Sequence, residues 1–180
     1  AGQRVVLGTD ADDQRAAAVV RPKRGVQPAG RRGDLERLFQ KDGARIWRAL
    51  VAYSGDREVA SDALAEAFAQ ALARADEIRS PERWVWRAAF RIAAGELKER
   101  RRAQPASVGK AYDMPEPPHD LIAALAKLSP KQRKALILRY YVGYPTHDVA
   151  RILGSSTATV RVHLSQGRRR LSRLLEDHDG

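Results

Sequence analysis

From residue 34 onward, apolar side chains recur at three- and four-residue spacing, and nowhere do they alternate with period two over a useful length. The pattern predicts an all-α protein with no sheet. Leu35, Leu38, Phe39, Ile46, Leu50 and Val51 form one stripe of a first helix, which Asp34 is placed to cap and Gly43 to break. Ser54-Gly55-Asp56 reads as a turn. Residues 57–75 predict a second helix with Val59, Ala63, Ala67, Phe68, Ala71 and Leu72 on one side. Ser80-Pro81-Glu82 is a helix start, with a capping hydroxyl, proline at the first position and an acid in the first turn. The third helix runs from Pro81 to about Arg102. Periodicity then stops at AQPASVGKAYDMPEPPH, 103–119, whose four prolines and one glycine favour an extended chain.

The helical pattern returns near Asp120. Leu121, Leu125 and Leu128 share a stripe, and Ser129 and Gln132 have capping-box spacing around Pro130. The next helix carries Leu136, Ile137, Tyr140 and Tyr141, and Gly143 ends it. Thr146 is placed to cap a short helix with Val149, Ala150 and Leu153 inward. Gly154 turns the chain, and Ser156 caps a last helix. The first 33 residues lack sustained periodicity and include RPKRGVQPAGRRG. The expected organisation is therefore a disordered basic arm (1–33), a helical domain (34–102), a flexible linker (103–119) and a second helical domain (120–176).

A short helix, a glycine turn and a second helix make a helix-turn-helix, which presents its second helix to the DNA major groove. At 100° per residue, Val160, Leu164, Gly167 and Leu171 cluster as the core seam of that helix. The opposite arc holds Ala158, Thr159, Arg161, Val162, Ser165, Gln166 and Arg169. These are small, hydrogen-bonding or cationic: arginine suits guanine edges, glutamine suits adenine, and an outward Val162 suits a thymine methyl. Arg168, Arg170 and Arg173 suit phosphates.

Charge favours the same partner. The 180 residues carry 33 basic and 22 acidic side chains, net +11, with an isoelectric point near 10.5. A field of that sign attracts polyanions. Between 120 and 175 there are eleven basic and two acidic residues. From 79 to 102 there are eight basic and three acidic, with Trp84 and Trp86 interleaved. Cations hold a strand's phosphates while aromatic planes stack on unpaired bases, although both tryptophans also have a reading as core. Cysteine is absent, which removes disulfides and thiolate metal sites. No apolar run approaches the roughly 20 residues of a membrane span, and no basic segment followed by an apolar one suggests a signal peptide. The expectation is a soluble cytoplasmic protein with no direct membrane insertion.

The stretch LSPKQRKALILRYYVGYPTHDVARILGSSTATVRVHLSQGRRRL resembles the C-terminal DNA-binding domain of bacterial RNA polymerase sigma factors, in their small, two-domain, extracytoplasmic-function (ECF) group. Leu128, Ser129, Pro130, Arg133, Leu138, Arg139, Tyr140, Gly143, Ala150, Leu153, Gly154, Ser156, Thr159, Val160 and Leu164 match the family's pattern. Ala158 stands for its glycine, His163 for a common arginine and Ser155 for an apolar turn residue. Upstream, DREVASDALAEAFAQAL is similar to the helix that docks on the polymerase clamp, with Asp62, Leu64, Glu66 and Phe68 at motif positions and Ala63 and Ala65 departing from it. RWVWRAAFRIAAGELKERRR resembles the promoter-melting helix; Arg91 replaces its asparagine and Gly95 its aspartate.

The resemblance implies a sigma factor that has no chemistry of its own and needs neither metal nor cofactor. It would bind core polymerase through Asp62, Leu64, Glu66 and Phe68. It would meet the minus-ten region with Arg83, Trp84, Trp86, Arg87, Arg91 and Lys98. It would read minus-thirty-five with Ser156, Thr157, Thr159, Arg161, Val162, Ser165, Gln166, Arg168 and Arg169. An anti-sigma factor is the implied regulator. The residues leave other readings open: a stand-alone helix-turn-helix regulator, with 34–102 as an effector or dimerisation domain, or a sigma-like protein that has lost promoter melting. Catalysis has thin support, because His119, His147, His163 and His178 lie scattered without paired carboxylate or metal-ligand spacing.

Overall fold

A computed structural model describes residues 30–103 and 119–176. Every regular element among them is helical, as the periodicity predicts. The expected arm up to residue 29 and the expected linker at 104–118 lie outside the described residues.

Three helices form the first unit: α1 (Arg31–Ser54), α2 (Arg57–Ala73) and α3 (Pro81–Ala103). Helix α1 starts three residues before Asp34. Asp34 is therefore not its cap; it sits in the first turn, ion-paired with Arg37. Gly43 does not break the helix. It is buried beneath the Phe39 ring, and packing outweighs a propensity cost of about 1 kcal/mol. At the α1–α2 turn the Asp56 carboxylate accepts from the amides of Glu58 (2.9 Å) and Val59 (3.1 Å), a cap that anchors α2. Helix α2 lies close to its neighbours because its inner face is mostly alanine: Ala60, Ala63, Ala67 and Ala71 are all fully buried. Phe39 and Leu72, expected on inward stripes, are instead 50% and 37% exposed, and the Phe39 ring edges against Phe68 at 5.0 Å.

The second unit contains α4 (His119–Ala126), α5 (Pro130–Leu136), α6 (Thr146–Leu153) and α7 (Thr157–Glu176). The capping box forms as expected, with Ser129 and Gln132 bonding each other's amides and proline in the first turn. Past Leu136 the chain widens into a π-turn, Ile137–Tyr141, closed by the Val142 amide on the Ile137 carbonyl (2.9 Å). The wider turn breaks the 3.6-residue register, so Ile137 and Leu138 stay buried while Tyr140 and Tyr141 swing out to 54% and 45% exposure. Pro145, not Thr146, occupies the cap position of α6; its carbonyl accepts the Asp148 and Val149 amides.

The units share a core. Helix α3 packs on α6, and α1 packs on α4 and on the π-turn. Val85, Trp86, Ala89 and Phe90 of α3 belong to the same buried cluster as Leu136, Leu138, Val149 and Val160.

Candidate nucleic-acid and polymerase interface

The helix-turn-helix is built by two glycines. Gly154 takes a left-handed backbone (φ +64°) that ends α6, and its amide bonds the Ala150 carbonyl. A methyl at Gly167 would lie 3.0 Å from a Leu136 methyl, so this glycine lets α7 close on α5. Val160 and Leu164 are buried and Leu171 is half-buried, as the wheel predicts. Arg161, Val162, Gln166, Arg168 and Arg169 are exposed on the other side, with Thr157 and Ser165 half-buried beside them.

Three of the expected groove readers are engaged. The Ser156 hydroxyl accepts the Thr159 amide (3.0 Å) and also lies 2.8 Å from the Thr159 hydroxyl, so this pair is committed first to capping α7. Gln166 accepts a long bond (3.3 Å) from Gln132. The remaining face is cationic along its length, and Ser165, Arg168, Arg169, Ser172, Arg173 and Glu176 line a shallow depression at its far end.

On α3 the expected residues divide. Arg83 and Lys98 are exposed, Arg83 bonding the Ser80 hydroxyl (2.7 Å). Trp84 is half-buried. Trp86 is completely buried, so the stacking role expected of it does not fit this arrangement. Its ring stacks on Phe90 (5.7 Å, 24°) and meets Tyr144 edge-on (6.0 Å, 84°). Arg87 is exposed, but its guanidinium donates to the carbonyls of Ile152 (2.7 Å) and Arg151 (2.7 Å) at the end of α6. Arg91 donates to Gln70 (2.9 Å), and Gln70 in turn donates to Glu66 (2.7 Å). Within the basic run 98–102, Arg100 bridges Asp56 (2.8 Å) and Glu58 (2.9 Å). Glu96 stands beside this cluster; partial burial, then Asp62, raise its carboxyl above the usual range.

On α2, Asp62 and Glu66 are exposed and Leu64 is half-buried. Phe68 is only 6% exposed, so it belongs mainly to the core, with the half-exposed Phe39 ring edged against it.

The residue that sequence reasoning missed is Tyr144. Its hydroxyl accepts from the Trp86 indole (3.1 Å) and from Arg45 (2.5 Å), and donates to the Glu82 carboxylate. One proton given and two bonds accepted saturate a phenol. Burial, reinforced by Glu82, pushes its pKa up to about 12, so it remains a donor at ordinary pH. The only signal in the sequence was an aromatic residue just after a helix-ending glycine. Among the described residues, no group of His, Asp or Glu could hold a metal ion, and no helix is long and apolar enough to cross a membrane.

Residues 119–171 match the family model for sigma-70, region 4. Over longer stretches the chain is similar to the ECF RNA polymerase sigma factor BldN of Streptomyces coelicolor, 25% identical over 166 residues, which cover 83% of this chain and 63% of BldN. It is also 27% identical over 156 residues to the ECF RNA polymerase sigma factor SigM of Mycobacterium tuberculosis, covering 82% of this chain and 80% of SigM. The chain thus spans less than two thirds of BldN's length. Its fold is similar to that of the sigma factor RpoE of Bartonella quintana, solved with the anti-sigma factor NepR: TM-score 0.65 at 21% identity, covering 79% of this chain and 97% of RpoE. CnrH, solved with the cytosolic domain of CnrY, gives TM-score 0.60 at 19% identity, covering 83% and 91%.

Proposed function

We propose that this chain, a member of the ECF group of the sigma-70 family, binds the RNA polymerase core and directs it to promoters. In this reading α7 reads duplex DNA at minus-thirty-five, α3 meets the opened minus-ten strand, and the acidic-apolar face of α2 docks on the polymerase clamp. The observation that carries it is the helix-turn-helix at 146–176, with a small, polar and arginine-rich face left open to solvent. The matched relatives are sigma factors over most of this chain, which speaks against a stand-alone regulator. RpoE and CnrH were each solved with a second protein, in RpoE's case an anti-sigma factor. A partner of that kind is accordingly proposed here.

The test is run-off transcription with core polymerase and a promoter library. The chain should confer promoter-specific starts; core that transcribes no differently with it would reject the reading. Arg161→Ala with Gln166→Ala should lower promoter-specific output about thirtyfold or more while core still co-purifies, since each good base contact is worth roughly 1–3 kcal/mol. An unaltered minus-thirty-five preference would show that a different face reads the groove. Asp62→Ala with Glu66→Ala should weaken core co-purification, on the order of tenfold for a loss near 1.4 kcal/mol. Both side chains are exposed, so this pair tests docking without disturbing the core as Phe68→Ala would.

A further inference from the structure

The capping box of α5 reaches beyond its own helix. The Gln132 carboxamide has one oxygen and one NH2 group, and the box decides which way each points. The Ser129 amide is a donor, so the Gln132 oxygen has to face it (3.3 Å). The Gln132 nitrogen is thereby turned to the other side, where it donates to Oε1 of Gln166 on α7 (3.3 Å). Gly167 brings the two helices within this reach. A Cβ there would lie 3.4 Å from the Gln132 Cβ and 3.0 Å from a Leu136 methyl.

The second carboxamide inherits its orientation from the first. An amide nitrogen can only donate, so Gln166 must offer its oxygen to Gln132. Its own NH2 group is then the end turned to solvent, on an exposed side chain. Pairing with adenine needs an oxygen and a nitrogen presented side by side to N6 and N7. With its oxygen held by Gln132, Gln166 presents donors alone. Donors suit the carbonyl oxygens of guanine, where O6 has N7 beside it, and of thymine, and they meet the amino groups of adenine and cytosine donor to donor.

We propose that Gln132 is a positioning residue that makes Gln166 a reader of keto bases, guanine foremost, in place of the adenine that a free glutamine suits. The base preference rests on the reading of α7 as the groove-facing helix; the relay from Ser129 through Gln132 to Gln166 does not.

The decisive variant is Gln132→Glu, because glutamate serves the capping box as glutamine does but has no proton to give at neutral pH. Against a carboxylate, Gln166 must turn its NH2 inward and its oxygen outward. The relay is read in the free chain, from hydrogen exchange of the side-chain amides by NMR. In the unaltered chain the Gln132 NH2 protons should exchange more slowly than those of Gln166. In Gln132→Glu the Gln166 NH2 protons should become slower than in the parent. Base choice is read by run-off transcription with core polymerase, from a library randomised across the minus-thirty-five element. The unaltered chain should favour a keto base at one position by about fivefold, the worth of one hydrogen bond. Gln166→Ala should lose that preference, and Gln132→Glu should reverse it toward adenine or cytosine. A variant that is merely damaged, or that repels DNA by its added charge, lowers every sequence together and reverses none. An adenine preference in the unaltered chain, or a keto preference that survives Gln132→Glu or Gln166→Ala, would overturn the base reading. Gln166 exchange unchanged by Gln132→Glu would overturn the relay. A chain that confers no promoter-specific starts would reject the proposed function and the base preference with it, while the exchange record still decides the relay.

Discussion

Replacing Trp86 with alanine should destabilise the chain by about 3–5 kcal/mol, the usual cost of removing a buried large aromatic. At roughly 2–4 °C per kcal/mol for a chain of this size, the melting temperature should fall by about 10 °C. The size of the effect follows from the surroundings. The ring is wholly buried, stacked on Phe90 and edged by Tyr144, and its N–H is bonded. Alanine leaves a cavity where two units meet and strands part of the Tyr144 cluster. Trp86→Phe should cost less, about 1–2 kcal/mol, because it keeps a ring and gives up mainly the hydrogen bond. Trp84→Ala, at a half-buried site, should cost about 1 kcal/mol. Thermal melts of the three variants check the order. If Trp86 instead served as an exposed base-stacking platform, its alanine variant would melt like the parent and lose only DNA binding, and that result would reject the packing described above.

The pair Trp84 and Trp86 shows where the sequence stopped being informative. Periodicity reports which side of a helix faces its nearest partners, and on that criterion both tryptophans on α3 could be core. Trp86 is sealed by Tyr144, 58 positions further on and beyond the 103–119 stretch. No local pattern encodes that contact. The same holds for Arg87. Its acceptors are backbone carbonyls, which every residue carries, so nothing in the composition of α6 marks them as a receptor for arginine. Arg100 was readable only as one cation in a basic run, although its acidic partners 44 and 42 residues earlier claim it.

Features set within one helix or one turn were legible. The α7 seam of Val160, Leu164 and Gly167 and its cationic outer face follow from a 100° wheel, because both sides of α7 are fixed by contacts within its own unit. The Ser129–Gln132 box and the Pro81 start are likewise local. Tyr140 and Tyr141 were legible as part of the helix but not as exposed, because the π-turn that rotates everything beyond it leaves no local pattern. Phe39 and Leu72 are exposed as well, although they lie on the inward stripe in sequence: a stripe marks a side of the helix, and its margin reaches solvent.

Arg133→Ala should be the second large loss, about 2–4 kcal/mol, for reasons that hydrophobic bookkeeping would miss. The side chain is 5% exposed and donates to the carbonyls of Tyr53 (2.9 Å), Ala126 (2.6 Å) and Leu128 (3.4 Å). It also lies over the Tyr53 ring at 5.1 Å. These carbonyls sit at the ends of α1 and α4, where helices have no internal donors to offer. One planar fork thus closes two helix ends that belong to different units. Removing it takes away a buried charge, which is favourable, but leaves acceptors without donors and a cavity between the units, and the latter terms are the larger. Lysine is a poor substitute. It is a point charge on a single stem and cannot reach carbonyls on two sides, so Arg133→Lys should recover less than half of the loss. Urea unfolding of the parent and both variants measures this directly. A lysine variant as stable as the parent would mean that charge alone matters there. An alanine variant within about 0.5 kcal/mol of the parent would place Arg133 among residues of no structural consequence, and the joint between α1 and the second unit would then have to be held by apolar contacts and the Arg45–Tyr144 bond.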